Sequence, residues 1–79
     1  MPRRTLDALM EVIDALKADG ITPESRLEWN FIMNHVRIKV GTDPRTVGRA
    51  ESLLKEFRLV VEDGSLWRVD FERAYELML

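Results

Sequence analysis

The segment 41–49 (GTDPRTVGR) combines a turn signal, a helix start and two arginines within nine residues. Asp43 is a typical N-cap residue, and the proline after it is favoured at the first position of a helix. In a helix, Arg45, Arg49 and Ser52 lie four and three residues apart and share one face. An arginine in the first turns of an exposed helix can donate two hydrogen bonds to O6 and N7 of guanine. The segment therefore predicts a helix that contacts DNA bases in the major groove.

Further side chains around this segment are candidates for contacts with DNA. Arg37 and Lys39 precede the turn and could hold phosphates. Lys55 and Arg58 lie further along the same predicted helix, and Arg68 lies on a predicted strand. Because a charged residue on a helix is often only solvated, that alternative stays open for these residues. The complete set of candidate DNA-binding residues is Arg45, Thr46, Arg49, Ser52, Arg37, Lys39, Lys55 and Arg68.

The distribution of charge along the chain also favours a DNA contact around segment 41–49. The 79 residues carry a formal net charge of −2, which by itself does not indicate a nucleic-acid partner. Residues 31–58, however, contain six basic and three acidic side chains, whereas acidic residues outnumber basic ones in 1–30 and 59–79. A local basic face can bind phosphates although the protein as a whole is acidic.

Several function classes lack the residues that they require. The chain contains no cysteine, which excludes disulfides, cysteine-ligated zinc and thiol catalysis. It contains no glycine-rich phosphate loop, no serine nucleophile motif and no cluster with metal-ligand spacing. His35 is the single histidine, and without a cluster of carboxylates or cysteines it is more typical of the edge of a core than of a catalytic site. We therefore expect no enzymatic activity, no metal and no cofactor.

The N-terminal region gives no sign of membrane targeting. The sequence contains no signal peptide and no apolar run of the roughly 18 residues that a membrane span needs. The expectation is a cytoplasmic protein without a membrane partner. Arg3 and Arg4 either form an arm that contacts a minor groove or belong to a disordered tail.

Apolar periodicity indicates the elements that position the candidate residues. The first helix is predicted to begin with Thr5 as its N-cap and to end at Asp19-Gly20, because glycine adopts the left-handed conformation that ends helices. Its apolar residues recur at three- and four-residue spacing. They are Leu6, Leu9, Met10, Ile13 and Leu16.

A second helix is predicted to begin either at 22–23 (TP) or at the capping box 25–28 (SRLE), after a short strand at 21–22. The alternating segment 36–40 is also typical of a strand, but the stop signal of Gly41 favours a helix. The apolar face predicted for this helix consists of Leu27, Phe31, Ile32, His35, Val36 and Ile38.

The third helix is followed by a hairpin and a last helix. The strands are predicted at 59–62 and 66–69, with Asp63-Gly64 as a strong hairpin turn signal. Asp70 is a suitable cap for the last helix, and Trp67 is expected to pack in the core. The stripe predicted for the third helix is Val47, Ala50, Leu53, Leu54 and Phe57, and that of the last helix is Phe71, Ala74, Tyr75 and Met78.

This order of elements resembles a winged helix-turn-helix domain. The residues that carry the resemblance are the turn 41–44, the run 45–50, Leu53-Leu54 and the segment 57–60 that leads into the hairpin. The chain is similar to small archaeal, bacterial and viral transcription regulators in which a Gly-x-Asp-x-Arg-Thr-Val turn opens the recognition helix. The resemblance implies one α+β, mainly helical domain over residues 1–79, with a three-helix core, a short two-stranded wing and a C-terminal helix. A second helix counted from Ser25 is longer than is usual in this motif.

The function that the resemblance implies is sequence-specific binding of double-stranded DNA by a transcription regulator, with the third helix (about 44–58) in the major groove. We predict a homodimer through the first and last helices, because the C-terminal residues are more apolar than a free tail requires. These residues are Phe71, Tyr75, Met78 and Leu79. The alternative is a winged-helix protein-interaction module or adaptor without a nucleic-acid role, which the net charge of −2 and the acidic hairpin tip Glu62-Asp63 favour.

Overall fold

The computed structural model describes residues 4–78, with the side chains of residues 4–77. Arg3, Leu79 and the side chain of Met78 therefore lie outside the described residues. The fold is small and mainly helical, and a two-stranded antiparallel sheet makes it α+β. The elements in chain order are α1 (Thr5–Ala18), α2 (Trp29–Val40), α3 (Pro44–Glu56), β1 (Val60–Asp63), β2 (Leu66–Val69) and α4 (Phe71–Met78).

The boundaries of α1 differ from the predicted ones only at the N-terminus. The N-cap is Arg4 rather than Thr5, because Arg4 has an extended backbone and its carbonyl accepts a hydrogen bond from the Ala8 N–H at 3.2 Å. No side chain caps this end of the helix. Gly20 has a φ of 91° at the other end, as predicted for a glycine that follows a helix. The buried residues of α1 are Ala8, Leu9, Met10, Val12, Ile13 and Leu16.

The loop between α1 and α2 contains no strand at residues 21–22, contrary to the prediction. A turn forms instead, in which the Ser25 N–H donates to the Thr22 carbonyl at 3.0 Å. The Thr22 N–H donates in return to the Ser25 hydroxyl oxygen, also at 3.0 Å. Because these local hydrogen bonds hold the backbone in a turn, residue 22 begins neither a strand nor a helix.

α2 begins later than predicted. Leu27 exchanges two backbone hydrogen bonds, of 2.7 and 2.8 Å, with Trp67 of β2. Because this bridge keeps Leu27 in an extended conformation, the capping box at Ser25 does not form and the first helical residue is Trp29. Gly41, with a φ of 93°, ends the helix, as predicted. α2 is thus only 12 residues long, and the unusual length predicted from Ser25 is wrong.

The buried face of α2 differs from the predicted one. Trp29 opens the helix and packs against the core, which places the inner face at three- and four-residue spacing from it. The buried residues are Ile32, Met33 and Val36. Phe31 and Ile38 lie outside this face and are 39% and 75% exposed, so their assignment to the core is wrong. His35 is half-buried at the edge of the core, as expected, and its Nε2 lies 3.1 Å from Asp19 Oδ2.

α3 has the cap and the stripe that the sequence predicts. The Asp43 carboxylate accepts a hydrogen bond from the Arg45 N–H at 2.9 Å, and Pro44 occupies the first helical position. Ala50 and Leu54 are completely buried. Three further residues of the predicted stripe are half-buried against the core, namely Val47, Leu53 and Phe57.

β1 and β2 form an antiparallel hairpin in which Val60 pairs with Val69 at the open end. Gly64 has a φ of 68° in the two-residue turn, a conformation that favours glycine. β1 begins one residue later than predicted, because the Leu59 N–H donates to the Leu54 carbonyl at 2.9 Å, which holds Leu59 in the turn that follows α3.

α4 is capped by Asp70, whose carboxylate accepts from the Arg73 N–H at 3.0 Å. Phe71 is only 6% exposed and packs inside the monomer, so it is not available for the predicted dimer contact. Tyr75 is 38% exposed, and its hydroxyl accepts a hydrogen bond from the Lys17 ammonium group.

The core lies between the four helices and the hairpin, and none of the described polar or charged residues is buried. Trp67 packs against this core as predicted, and its ring centroid lies 4.7 Å from that of Trp29. The largest fully buried side chains are Leu9, Ile13, Leu16, Ile32, Leu54, Leu59, Val12, Val36 and Val69.

Candidate nucleic-acid interface

α2 and α3 are joined by residues 41–43 alone. Gly41 supplies the positive φ that lets the chain change direction at once after α2. The Asp43 side chain accepts from the Arg45 N–H, and the Asp43 carbonyl accepts from the Val47 N–H, both at 2.9 Å. Because these hydrogen bonds and the preceding turn fix the start of α3, its first turns have one defined orientation relative to α2.

One face of α3 is exposed over its first turns, and we call it the basic face; its members are Arg45, Gly48, Arg49 and Ser52. Three of these four are residues that the sequence predicts to contact DNA bases, and the structure does bring them together. The guanidinium groups of Arg45 and Arg49 form no ion pair and no hydrogen bond with any residue between 4 and 78. Both groups are therefore free to bind an external anion.

Gly48 lies in the middle of the basic face and is exposed. A Cβ built at this position would meet no atom of the protein within 4 Å. Close packing against another helix of the described chain therefore does not explain this glycine. A glycine in a helix interior costs about 0.5–1 kcal/mol relative to alanine, and no contact within the described chain explains that cost.

Thr46 does not point outward with the arginines, contrary to the prediction. Successive residues of a helix are turned by about 100°, so the neighbour of Arg45 faces α1 instead. Thr46 is half-buried and lines a small cleft of about 110 Å³ between α1, the end of α2 and the start of α3. We call it the α1–α3 cleft; its lining residues are Arg4, Thr5, Ala8, Lys39, Val40 and Thr46.

Arg37 and Lys39 are both exposed near the end of α2, as a contact with phosphates requires. The Arg37 Nη1 donates to the Asn34 side-chain oxygen at 3.2 Å, a neutral partner that leaves its charge uncompensated. Lys39 lines the α1–α3 cleft, and its ammonium group has no partner in the described part of the chain.

Lys55 is held by its own chain. Its ammonium group lies 3.5 Å from Glu51 Oε1 and 4.9 Å from the centroid of the Trp29 ring. Arg58 is not on α3, which ends at Glu56, but in the turn that follows, with a φ of 56°. Lys55 and Arg58 therefore do not belong to the same set of exposed, unpaired α3 cations as Arg45.

Arg68 is also held within the chain. Its Nε lies 3.1 Å from Asp63 Oδ2, and the Nε of Arg26 lies 3.4 Å from the same oxygen. The Asp63 carboxylate of the acidic hairpin tip is thus compensated by two arginines. Glu62, the other acidic residue of the tip, is exposed and would repel a phosphate.

The sequence did not indicate that Arg4 and Thr5 would lie near the start of α3. Arg4 was considered only as part of a terminal arm or tail, and Thr5 only as a helix cap. Their proximity to Thr46 depends on how α1 packs across α3, which is a contact between residues more than 40 positions apart. No local pattern in the sequence reports such packing.

Residues 4–78 hold neither a cluster of metal ligands nor a membrane-spanning helix. No group of three or more His, Asp or Glu side chains there could hold a metal ion. No helix in this part of the chain is long and apolar enough to cross a membrane.

Comparisons of the chain with protein-family models, with curated proteins and with solved structures gave no match.

Proposed function

We propose that this protein is a winged helix-turn-helix domain that binds double-stranded DNA in a sequence-specific manner and regulates transcription. In this proposal α3 enters the major groove, and the hairpin β1–β2 is the wing. The observation that carries the proposal is the basic face of α3, where two guanidinium groups that have no partner among residues 4–78 flank an exposed glycine.

Base recognition is assigned to the basic face. Arg45 and Arg49 can each donate two parallel hydrogen bonds to a guanine, a contact worth about 1–3 kcal/mol of discrimination. Ser52 lies one turn further on and can donate to or accept from a base or a phosphate. Gly48 would let the backbone of α3 approach the edges of the bases, which explains a glycine that the fold does not need.

Phosphate contacts are assigned to Arg37 and Lys39, the two exposed cations that precede the turn. Lys55 and Arg68 are given a smaller part than the sequence suggested, since each would have to leave a carboxylate of its own chain to reach a phosphate. We propose that substitution of Lys55 weakens binding to all DNA sequences alike and only slightly.

A homodimer is part of the proposal, with the two α3 helices in successive major grooves about 34–36 Å apart. The contact would be made by α1 and α4. Phe71 has no part in it, because it is buried in the monomer. Sedimentation at micromolar concentration tests the dimer, and a single species of 9.2 kDa would contradict it.

A protein-interaction module is the second candidate, and one observation favours it. Ile38 is 75% exposed on α2, and Phe31 is 39% exposed two turns before it. The two residues lie seven positions apart and share one face of α2, and an exposed apolar patch can mark an interface. Binding at such a surface would depend little on salt, whereas the logarithm of the DNA affinity must fall linearly with the logarithm of the salt concentration.

The experiment is selection of duplexes from a random-sequence pool, followed by affinity measurements at about 50 mM and 200 mM salt. We expect an enriched motif that contains guanines, and an affinity that falls steeply with salt. A pool that shows no enrichment, or an affinity that does not respond to salt, would refute the proposal.

A further inference from the structure

The residues that line the α1–α3 cleft are suited to bind an anion. Two of them, Lys39 and Thr46, are also among the DNA-binding candidates predicted from the sequence. Arg4 and Lys39 contribute two cations that have no partner in the described residues. Thr5 and Thr46 contribute two hydroxyl groups, each of which can donate a hydrogen bond. No carboxylate lines the cleft.

The backbone of α1 adds donors at the same place. The first N–H groups of a helix have no partner within the helix, and the N-terminus carries a partial positive charge. A side chain usually caps these groups, but α1 has no side-chain cap. The cleft thus combines two free cations, two hydroxyls and uncapped backbone donors, which together suit an anion with several acceptor oxygens.

The size and position of the cleft narrow the choice of anion. Its volume of about 110 Å³ has room for a small group but not for a nucleotide or a drug-sized ligand. Thr46 is the immediate neighbour of Arg45 on α3, so the cleft opens beside the basic face. A group bound in the cleft would therefore lie beside the start of α3.

We propose that the α1–α3 cleft binds one backbone phosphate of the DNA and so sets the position of α3 in the major groove. Arg4 and Lys39 supply the charge, and Thr5 and Thr46 supply directed hydrogen bonds. This inference rests on the proposed function. Phosphate contacts position a protein on the duplex without specifying the sequence, so the cleft acts on the affinity for every sequence.

The decisive variant is Lys39→Gln, and its matched control is Lys17→Gln. Both remove one positive charge, but Lys17 lies at the other end of α1, about 18 Å from Thr5 along the helix axis. Because Lys17 contacts Tyr75 of α4, sedimentation first establishes that Lys17→Gln has the oligomeric state of the wild-type protein. The readout is the slope of log affinity against log salt, measured on the duplex selected above. We expect the slope to become shallower by about 0.9, the value for one phosphate contact, in Lys39→Gln and to stay unchanged in Lys17→Gln.

Thr46→Val tests the hydroxyl at nearly constant side-chain shape. We expect the same fold-loss of affinity on the selected duplex and on a scrambled one, because a phosphate contact carries no sequence information. Circular dichroism establishes that each variant is folded, and Arg4→Gln provides the same salt-slope readout should Lys39→Gln fail to fold.

A free phosphate ion has the same chemistry as a DNA phosphate, and a separate titration distinguishes them. Inorganic phosphate is added to the ¹⁵N-labelled protein at constant ionic strength while the amide signals of Thr5 and Thr46 are followed. We expect shifts with DNA and the reduced slope in Lys39→Gln. Shifts with inorganic phosphate, combined with an unchanged slope, would assign the cleft to a free anion and overturn the inference.

The failure of this inference can be distinguished from the failure of the proposed function. A wild-type protein that binds DNA with a salt slope equal to that of Lys39→Gln overturns only the role of the cleft. A wild-type protein that binds no duplex at either salt concentration overturns the proposed function and the inference together.

Discussion

The hairpin tip and the exposed face of α3 each involve two arginines, and the protein uses them in opposite ways. At the tip, Arg26 and Arg68 lie 3.4 and 3.1 Å from one oxygen of Asp63. On α3, Arg45 and Arg49 have no partner between residues 4 and 78. Arginines that are paired within the chain can serve the fold, whereas unpaired arginines on one exposed face are available to a partner.

Two glycines repeat this contrast. Gly64 has a φ of 68°, which favours glycine in the hairpin turn, and an added Cβ would lie 3.2 Å from the Arg26 Nη2. Gly48 has an ordinary helical backbone, and an added Cβ would meet nothing within 4 Å. An exposed residue that makes no contact within the described chain, and that the fold does not need, therefore indicates a binding function better than its residue type alone.

The largest expected effect concerns the core that holds α3 in place. Leu54→Ala removes a side chain that is 0% exposed, and we expect the free energy of unfolding to fall by about 2–5 kcal/mol. Because the total stability of such a domain is only about 5–15 kcal/mol, this loss is a large fraction of it. Urea denaturation measures this loss. Val61→Ala, at a side chain that is 40% exposed, is the control, and an equal loss there would contradict the packing.

The next effect compares the two kinds of arginine. Arg49→Ala should lower the affinity for the selected duplex by about 1–3 kcal/mol and relax the preference at one base position. Arg68→Ala should change the affinity by less than about 1 kcal/mol and leave the preference intact, since Arg68 pairs with Asp63. Competition binding with single-base variants of the duplex measures both quantities. Equal losses from the two substitutions would break the comparison.

Gly48→Ala separates folding from binding in one variant. Alanine should raise the free energy of unfolding by about 0.5–1 kcal/mol, because glycine is unfavourable inside a helix. The added methyl group should at the same time weaken DNA binding by obstructing close approach. Thermal denaturation and affinity measurements test the two effects. Gly64→Ala is the matched control, which should destabilise the hairpin and leave binding nearly unchanged.

The smallest effect tests whether an unpaired arginine is enough for binding. Arg58 is exposed and unpaired within the described residues, but its φ of 56° places it in the left-handed region at the end of α3. Arg58→Gly should stabilise the fold by about 0.5 kcal/mol, since relief of a strain of about 1–2 kcal/mol is partly offset by the entropy of glycine. The affinity for DNA should change much less than in Arg49→Ala, and an equal loss would remove the distinction made here for the basic face.

The parts of the fold that the sequence predicted correctly depend on local chemistry. The Asp43 and Asp70 caps, the glycine stops and the hairpin turn each involve residues within a few positions of one another. The start of α2 was predicted wrongly because the backbone of Leu27 pairs with Trp67, forty positions away. Apolar periodicity could not reveal that bridge. For this reason Leu27 was assigned to the apolar face of α2, although the helix begins only at Trp29.

The candidate site was predictable to a similar extent. The positions of Arg45, Arg49 and Ser52 follow from helical spacing and the capped start of α3. The burial of Thr46 and its grouping with Arg4 follow from the packing of α1 against α3, which no local pattern reports. The pairing of Arg68 with Asp63 depends in the same way on the register of the hairpin.

The most direct test of the account maps the DNA contacts on the protein. The selected duplex is titrated into the ¹⁵N-labelled protein, and the backbone amide signals are followed residue by residue. We expect the largest shifts on residues 44–52 and on Thr5, and small shifts at the hairpin tip. The largest shifts at Phe31 and Ile38 or on α4, with residues 44–52 unchanged, would contradict the claim that α3 contacts DNA.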